Sequence, residues 1–68
     1  MINDRPLREV DVVEIPEKTA SEAGARPRGT VVWYVEGAPF ATVECRLLGD
    51  DPLRTVLIDV PVVDLRRI

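Results

Sequence analysis

Three groups of side chains in this 68-residue chain are candidates for chemistry or binding. They are the only cysteine, Cys45, the only tryptophan, Trp33, and a set of basic residues, Lys18, Arg26 and Arg28. A thiolate can act as a nucleophile, and basic side chains bind carboxylates or phosphates. An exposed indole can fill a partner's pocket or stack on a nucleic-acid base. Which of these roles is open to each residue depends on the elements that carry it.

The residues needed for the common forms of catalysis are missing from the chain. It has no histidine, which excludes serine–histidine and cysteine–histidine nucleophilic catalysis. Cys45 lies in "FATVECRLL" among strand-forming apolar residues, where a free cysteine is a small hydrophobe with a raised pKa. A zinc site needs several cysteine or histidine ligands. We therefore expect no enzyme activity and no cofactor.

Two other motifs have ordinary structural explanations. Asp50 and Asp51 stand in "GDDP", which is typical of a solvated turn and does not require a metal ion. Gly24 and Gly29 enclose "ARPR" and lack the lysine and serine that end a phosphate-binding loop. The sequence therefore does not support nucleotide binding.

Composition limits the partners of the protein. The 9 basic and 12 acidic residues give a net charge of −3, which disfavours general binding to nucleic acid. The hydrophobic content of 46% is that of a folded chain, and a single cysteine cannot form an internal disulfide. No signal-peptide pattern is present, and no apolar run approaches the roughly 20 residues that cross a membrane. We expect a cytoplasmic protein that does not enter the membrane.

Proline, glycine and apolar residues predict an N-terminal arm over residues 1–7 and one small domain over residues 8–68. Strand-like runs cover residues 9–15, 30–36, 40–48, 53–60 and 66–68. Residues 16–29 predict a long first loop, in which Thr19 and Glu22 have the spacing of a capping box for a short helical turn. Residues 64–66 predict one turn of 3-10 helix before the last strand.

The short connections after the second strand exclude parallel crossovers, so the sheet is expected to be antiparallel. A sheet this small buries its apolar face best by closing on itself. The predicted fold class is therefore all-β, a small five-stranded antiparallel barrel.

Alternation along the strands leaves two placements open for Trp33. If Val32 and Tyr34 face the core, Trp33 faces outward and forms an outer aromatic and aliphatic patch with Phe40 and Leu57. A shift of one residue would exchange core and surface and bury Trp33.

The alternation is equally undecided on the first strand. There, Val10 and Val12 compete with Val13 and Ile15 for the core.

Four segments of the chain resemble a family of short, uncharacterised bacterial domains with an SH3-like barrel, related in appearance to the KOW and Tudor-like barrels. The segments are "DVV" (11–13), "RGTVVWYVEG" (28–37), "ATVEC" (41–45) and "VPVVDLRRI" (60–68). The resemblance covers residues 9–68 and implies the barrel but no catalytic residues. The chain departs from the family pattern at Trp33, where a polar residue is expected, and at Cys45, where an aromatic residue is more usual.

These observations lead to two hypotheses of function. The first is a non-catalytic protein-interaction module that docks through Trp33, Phe40 and Leu57, with rim charges setting specificity. The resemblance implies an accessory or antitoxin-type role beside a toxin-like or enzymatic protein, and self-association is the other possible partnership. The alternative is binding of RNA or single-stranded nucleic acid through Lys18, Arg26 and Arg28, with Trp33 as a stacking platform.

Overall fold

The computed structural model describes residues 7–49, 51 and 53–68. These residues form one five-stranded antiparallel sheet with a short helix and a 3-10 turn. The elements are β1 (Val12–Glu14), α1 (Glu17–Glu22), β2 (Ala25–Trp33), β3 (Phe40–Leu47), β4 (Thr55–Pro61), the 3-10 turn (Val62–Asp64) and β5 (Arg66–Arg67). The prediction of a small antiparallel all-β domain is confirmed. The predicted arm lies outside the described residues except for Leu7, which is half-buried against the core.

The strands lie in the order β4-β3-β2-β1-β5, so β4 and β5 are the two edges of the sheet. Among the described residues, β4 pairs only with β3 and β5 pairs only with β1. The sheet is therefore not closed by a continuous ring of strand pairs, and the predicted barrel is not confirmed.

Small and β-branched side chains from the inner face of the sheet form most of the core, together with Ile15 after β1 and Ala20 on α1. The fully or nearly fully buried apolar residues are Val13, Ile15, Ala20, Ala25, Val31, Ala41, Val43, Cys45 and Val60. Val13 and Ile15, not Val10 and Val12, are therefore the core residues of the first strand. The inner positions of β3 and β4 are those that alternation predicts, since Val56 and Ile58 also pack against this core.

The predicted long loop is more ordered than its composition indicates. Helix α1 begins directly after Pro16, and the Ala20 amide donates to the Pro16 carbonyl to close its first turn. Thr19 therefore lies inside the helix. No side chain caps the start of α1, so the predicted capping box is not formed. Burial of Ala20 against the core orders the helix, which packs on β2. β2 then begins at Ala25, five residues earlier than predicted.

A bulge in β2 decides the orientation of Trp33. Val31 lies opposite Val43, whereas Trp33 lies opposite Thr42, so β2 uses one more residue than β3 at this point. The extra residue, Val32, shifts the alternation of the strand. As a result Val31 is buried while Val32 and Trp33 are both exposed, an outcome that neither of the two regular registers predicts.

Candidate protein-binding surface

The outer face of the sheet carries a row of side chains that the strand register places side by side. Val12 lies opposite Thr30, Thr30 opposite Glu44, and Glu44 opposite Leu57. Both apolar ends of this row are exposed, Val12 on β1 and Leu57 on β4. The outer face therefore offers apolar area on both sides of a polar centre.

Trp33 lies further along β2, after the bulge at Val32, and faces Thr42 on β3. Its side chain is 50% exposed, and its neighbour Tyr34 instead packs partly against the core. The Gly37 amide donates a 3.2 Å hydrogen bond to the Tyr34 hydroxyl, which fixes the turn that follows β2. Tryptophan is among the residues most enriched at the dominant contacts of protein interfaces, so Trp33 is a candidate anchor residue.

A groove of about 490 Å³ lies on the same face, beside the row from Val12 to Leu57. The residues that give it its chemistry are Val12, Arg26, Arg28, Glu44, Arg46 and Leu53. Three guanidinium groups therefore share one groove with two exposed apolar side chains. Because Arg46 comes from β3, its presence follows from strand pairing, and the local sequence around Arg26 and Arg28 does not indicate it.

The groove is positive although the whole chain is negative. None of Arg26, Arg28 and Arg46 forms an ion pair within residues 7–49, 51 and 53–68. The single acidic side chain of the lining, Glu44, accepts a 3.2 Å hydrogen bond from the Thr55 hydroxyl. Three arginines and one glutamate line the groove, so it attracts anionic groups, and Arg recognises carboxylates and phosphates alike.

The structure divides the predicted outer patch into two parts. Trp33, Phe40 and Leu57 are all exposed. However, the Thr42 hydroxyl donates a 2.7 Å hydrogen bond to the Asp59 carboxylate, and this pair lies on the outer face between Trp33 and Leu57. Trp33 and Phe40 therefore belong to one end of the sheet, and Leu57 belongs to the β4 edge.

The structure also divides the predicted basic set. Arg26 and Arg28 lie on β2 and line the groove, whereas Lys18 lies on α1 and is not part of the lining. Sequence reasoning missed Arg46, Leu53 and Val12 as partners of these arginines. The signal that could have found Arg46 is the alternation of β3, which places it on the same face as Glu44.

The described residues include no group of three or more acidic, cysteine or histidine side chains arranged to hold a metal ion. The Asp51 carboxylate instead accepts a 2.9 Å hydrogen bond from the Leu53 amide, which stabilises the turn between β3 and β4. Within the described part of the chain, no helix has the length and apolar character needed to cross a membrane.

Cys45 is only 1% exposed on the inner face of β3, and burial raises the pKa of its thiol above the ordinary value of 9.0. The unfolded chain therefore loses this proton before the folded protein does as the pH rises. The contribution of Cys45 to stability is complete below pH 9.0 and is lost at higher pH, by at most about 1.4 kcal/mol per pH unit.

We expect denaturation curves from pH 7 to pH 11 to show that the free energy of unfolding falls faster in the wild type than in Cys45→Ala. The comparison cancels the titration of all other groups. Parallel curves for the two proteins would contradict the buried, neutral thiol.

Comparison of the chain with protein-family models, with curated proteins and with solved structures finds no match.

Proposed function

We propose that this chain is a non-catalytic protein-interaction module whose outer sheet face docks a segment of another protein. The finer fold that we propose is an SH3-like barrel. The strand order β4-β3-β2-β1-β5 and the 3-10 turn between β4 and β5 support that arrangement. The buried free thiol of Cys45 suits a reducing compartment, and we place the module in the cytoplasm.

The observation that supports docking is the half-exposed Trp33 on the same outer face as a groove lined by three arginines. Tryptophan and arginine are the residues most enriched among those that dominate binding energy at protein interfaces. The groove fits carboxylates, and exposed apolar side chains lie within it, at Val12 and Leu53, and further along the same outer face, at Trp33 and Phe40. The partner segment that fits this surface therefore carries acidic side chains next to apolar ones.

The resemblance to short bacterial accessory domains suggests the class of protein that supplies such a segment. We propose a toxin-like or enzymatic partner, which this domain would hold in an accessory or antitoxin-type role. In that role the domain contributes binding surface and no catalytic group.

Binding of single-stranded nucleic acid is the second candidate, and the groove with Arg26, Arg28 and Arg46 is the observation that favours it. Two features count against it. Glu44 lies in the same groove, and the net charge of −3 repels a phosphate backbone outside it. We therefore rank it below docking of an acidic protein segment.

Selection from a library of random displayed peptides tests the proposal directly. We expect selected peptides to combine Asp or Glu with apolar residues, and Trp33→Ala to weaken their binding by about tenfold or more. Arg28→Glu should weaken peptide binding more than Trp33→Ala does, because it replaces an attractive charge with a repulsive one. Fluorescence of Trp33, the only tryptophan, reports binding to the wild type and to Arg28→Glu, and labelled peptides report binding to Trp33→Ala.

Val63→Ala is the matched control, because Val63 is also exposed and lies on the 3-10 turn outside the groove. Peptides that bind Trp33→Ala and the wild type equally would overturn the proposed surface. A labelled oligouridine that binds more tightly than the peptides, with affinity falling steeply as salt increases, would establish the nucleic-acid alternative instead.

A further inference from the structure

The two edges of the sheet differ in length and in chemistry. β5 is two residues long, and both residues are arginines. β4 is seven residues long, and its only charged side chain is Asp59. Short length and charge are the usual means by which proteins prevent a sheet edge from pairing with another strand. The β5 edge has both protections, and most of the β4 edge has neither.

Backbone hydrogen bonds at the two ends of β4 show which residues face the open side. Leu47 donates to Arg54 at 3.0 Å, and Val62 donates to Pro39 at 2.9 Å. Both pairs continue the register of β3 with β4, in which Ile58 faces Val43. Facing residues in an antiparallel ladder alternate between those that exchange hydrogen bonds and those that do not.

The even-numbered residues of β4 therefore direct their backbone groups toward β3. The odd-numbered residues Thr55, Leu57 and Asp59 direct their amide and carbonyl groups toward the open edge. Pro61, also odd-numbered, fits this pattern, because a proline has no amide hydrogen to place there. The β4 edge thus presents a ladder of three residues that ends at a proline.

We propose that the β4 edge pairs with the β4 edge of a second copy of this chain, in antiparallel register about a two-fold axis at Leu57. In that register Leu57 faces Leu57 of the second copy, and Thr55 faces Asp59. Each of the three facing pairs exchanges two hydrogen bonds, which gives about six across the interface. The result is a continuous ten-stranded sheet.

Side-chain complementarity favours this register over the one whose axis lies at Ile58. On the inner face, Val56 of one copy lies opposite Ile58 of the other, so apolar residues meet. Both residues are only half-buried in one chain, whereas Val60 on the same strand is fully buried. The alternative axis at Ile58 would set Leu57 against Asp59, which pairs an apolar side chain with a charge.

Molecular mass in solution tests the dimer. We expect light scattering over a dilution series to give twice the chain mass of 7.6 kDa for the wild type. Leu57→Lys should give the monomer mass over the same series, with a dissociation constant raised more than about tenfold, because two lysines would meet at the axis. Phe40→Lys is the control, since Phe40 is exposed on the same face but lies on β3, and it should remain dimeric.

Cysteine cross-linking tests the register. Facing hydrogen-bonded residues have Cα atoms about 5.5 Å apart, which is within disulfide range. Leu57→Cys should therefore form a covalent dimer under mild oxidation, whereas Asp59→Cys should not, because each Asp59 faces Thr55. The buried Cys45 of the wild type is the background control.

A monomeric wild type, a dimeric Leu57→Lys or efficient cross-linking of Asp59→Cys would each overturn the proposal. The dimer does not depend on the proposed docking function. Trp33→Ala should weaken peptide binding by about tenfold or more without changing the mass. Leu57 does not line the groove, so Leu57→Lys should change the mass while the groove still binds peptide.

Discussion

Replacing Gly29 by alanine is expected to destabilise the fold by about 3 kcal/mol and to lower its midpoint of thermal unfolding by about 12 to 24 °C. Gly29 is buried on β2, directly opposite Cys45 of the paired strand β3. A Cβ atom there would lie 2.6 Å from the Cys45 Sγ, the Val43 Cγ1 and the Glu44 carbonyl oxygen. One of these three atoms belongs to the backbone of β3, so rotation of a side chain cannot relieve the overlap.

The loss is large for a domain of this size, whose stability is expected to be only a few kcal/mol. Denaturant titration followed by far-ultraviolet circular dichroism measures it. Gly24→Ala is the matched control, because nothing lies within 4 Å of a Cβ at that position. Its φ of +66° should still cost about 1 kcal/mol, which separates backbone strain from steric overlap.

Measuring Gly29→Ala in a second variant, Val43→Ala, tests whether steric overlap causes the loss of stability. In Val43→Ala the Cγ1 atom is gone, so Gly29→Ala should cost less there, although the Glu44 carbonyl remains. Equal costs of Gly29→Ala and Gly24→Ala in the wild type would show that β2 and β3 can separate at this point without penalty.

Replacing Asp11 by alanine is expected to destabilise the fold by about 2 kcal/mol. Asp11 is the only buried charged residue among those that the structure describes. Its carboxylate accepts a 3.0 Å hydrogen bond from the Arg8 amide and lies 3.9 Å from the Arg67 guanidinium. The Asp11 carboxylate therefore ties the turn before β1 to the last strand of the sheet.

Glu14→Ala provides a matched control for Asp11→Ala, because Glu14 also pairs with an arginine of β5. Glu14 forms an ion pair with Arg66, whose side chain is 80% exposed, compared with 19% for Arg67. Exposed pairs contribute little, so this change should cost less than about 1 kcal/mol.

Chemical denaturation of both variants gives the comparison. If Glu14→Ala cost as much as Asp11→Ala, burial of the Asp11 carboxylate would not be the source of its effect.

Several elements could be predicted closely because their signals are local. β3 begins at the predicted residue and ends one residue early, since a regular alternation of apolar and polar residues follows Pro39. The 3-10 turn follows Pro61 and begins two residues earlier than predicted. The inner residues of β3 also follow directly from alternation, and so does the burial of Cys45.

Other features depend on contacts between distant segments. Residues 16–29 have the composition of a loop, yet α1 forms there and buries Ala20 in the core. The bulge at Val32 forms where β2 pairs with β3 and carries one residue more than its partner strand. Without this extra residue, Val31 and Trp33 would face the same side of the sheet, and one could not be buried while the other is exposed. No propensity of a single residue encodes either outcome.

The candidate site likewise combines features that could be predicted from the sequence with features that depend on contacts between distant segments. Residue types alone identified Trp33, Arg26 and Arg28 as candidates for binding, because that conclusion needs only the inventory of side chains. The pairing of strands brought Arg46 into the groove, separated Leu57 from Trp33 and left the β4 edge open. These are relations between residues far apart in the chain, and they exist only once the backbone hydrogen bonds of the sheet have set its register.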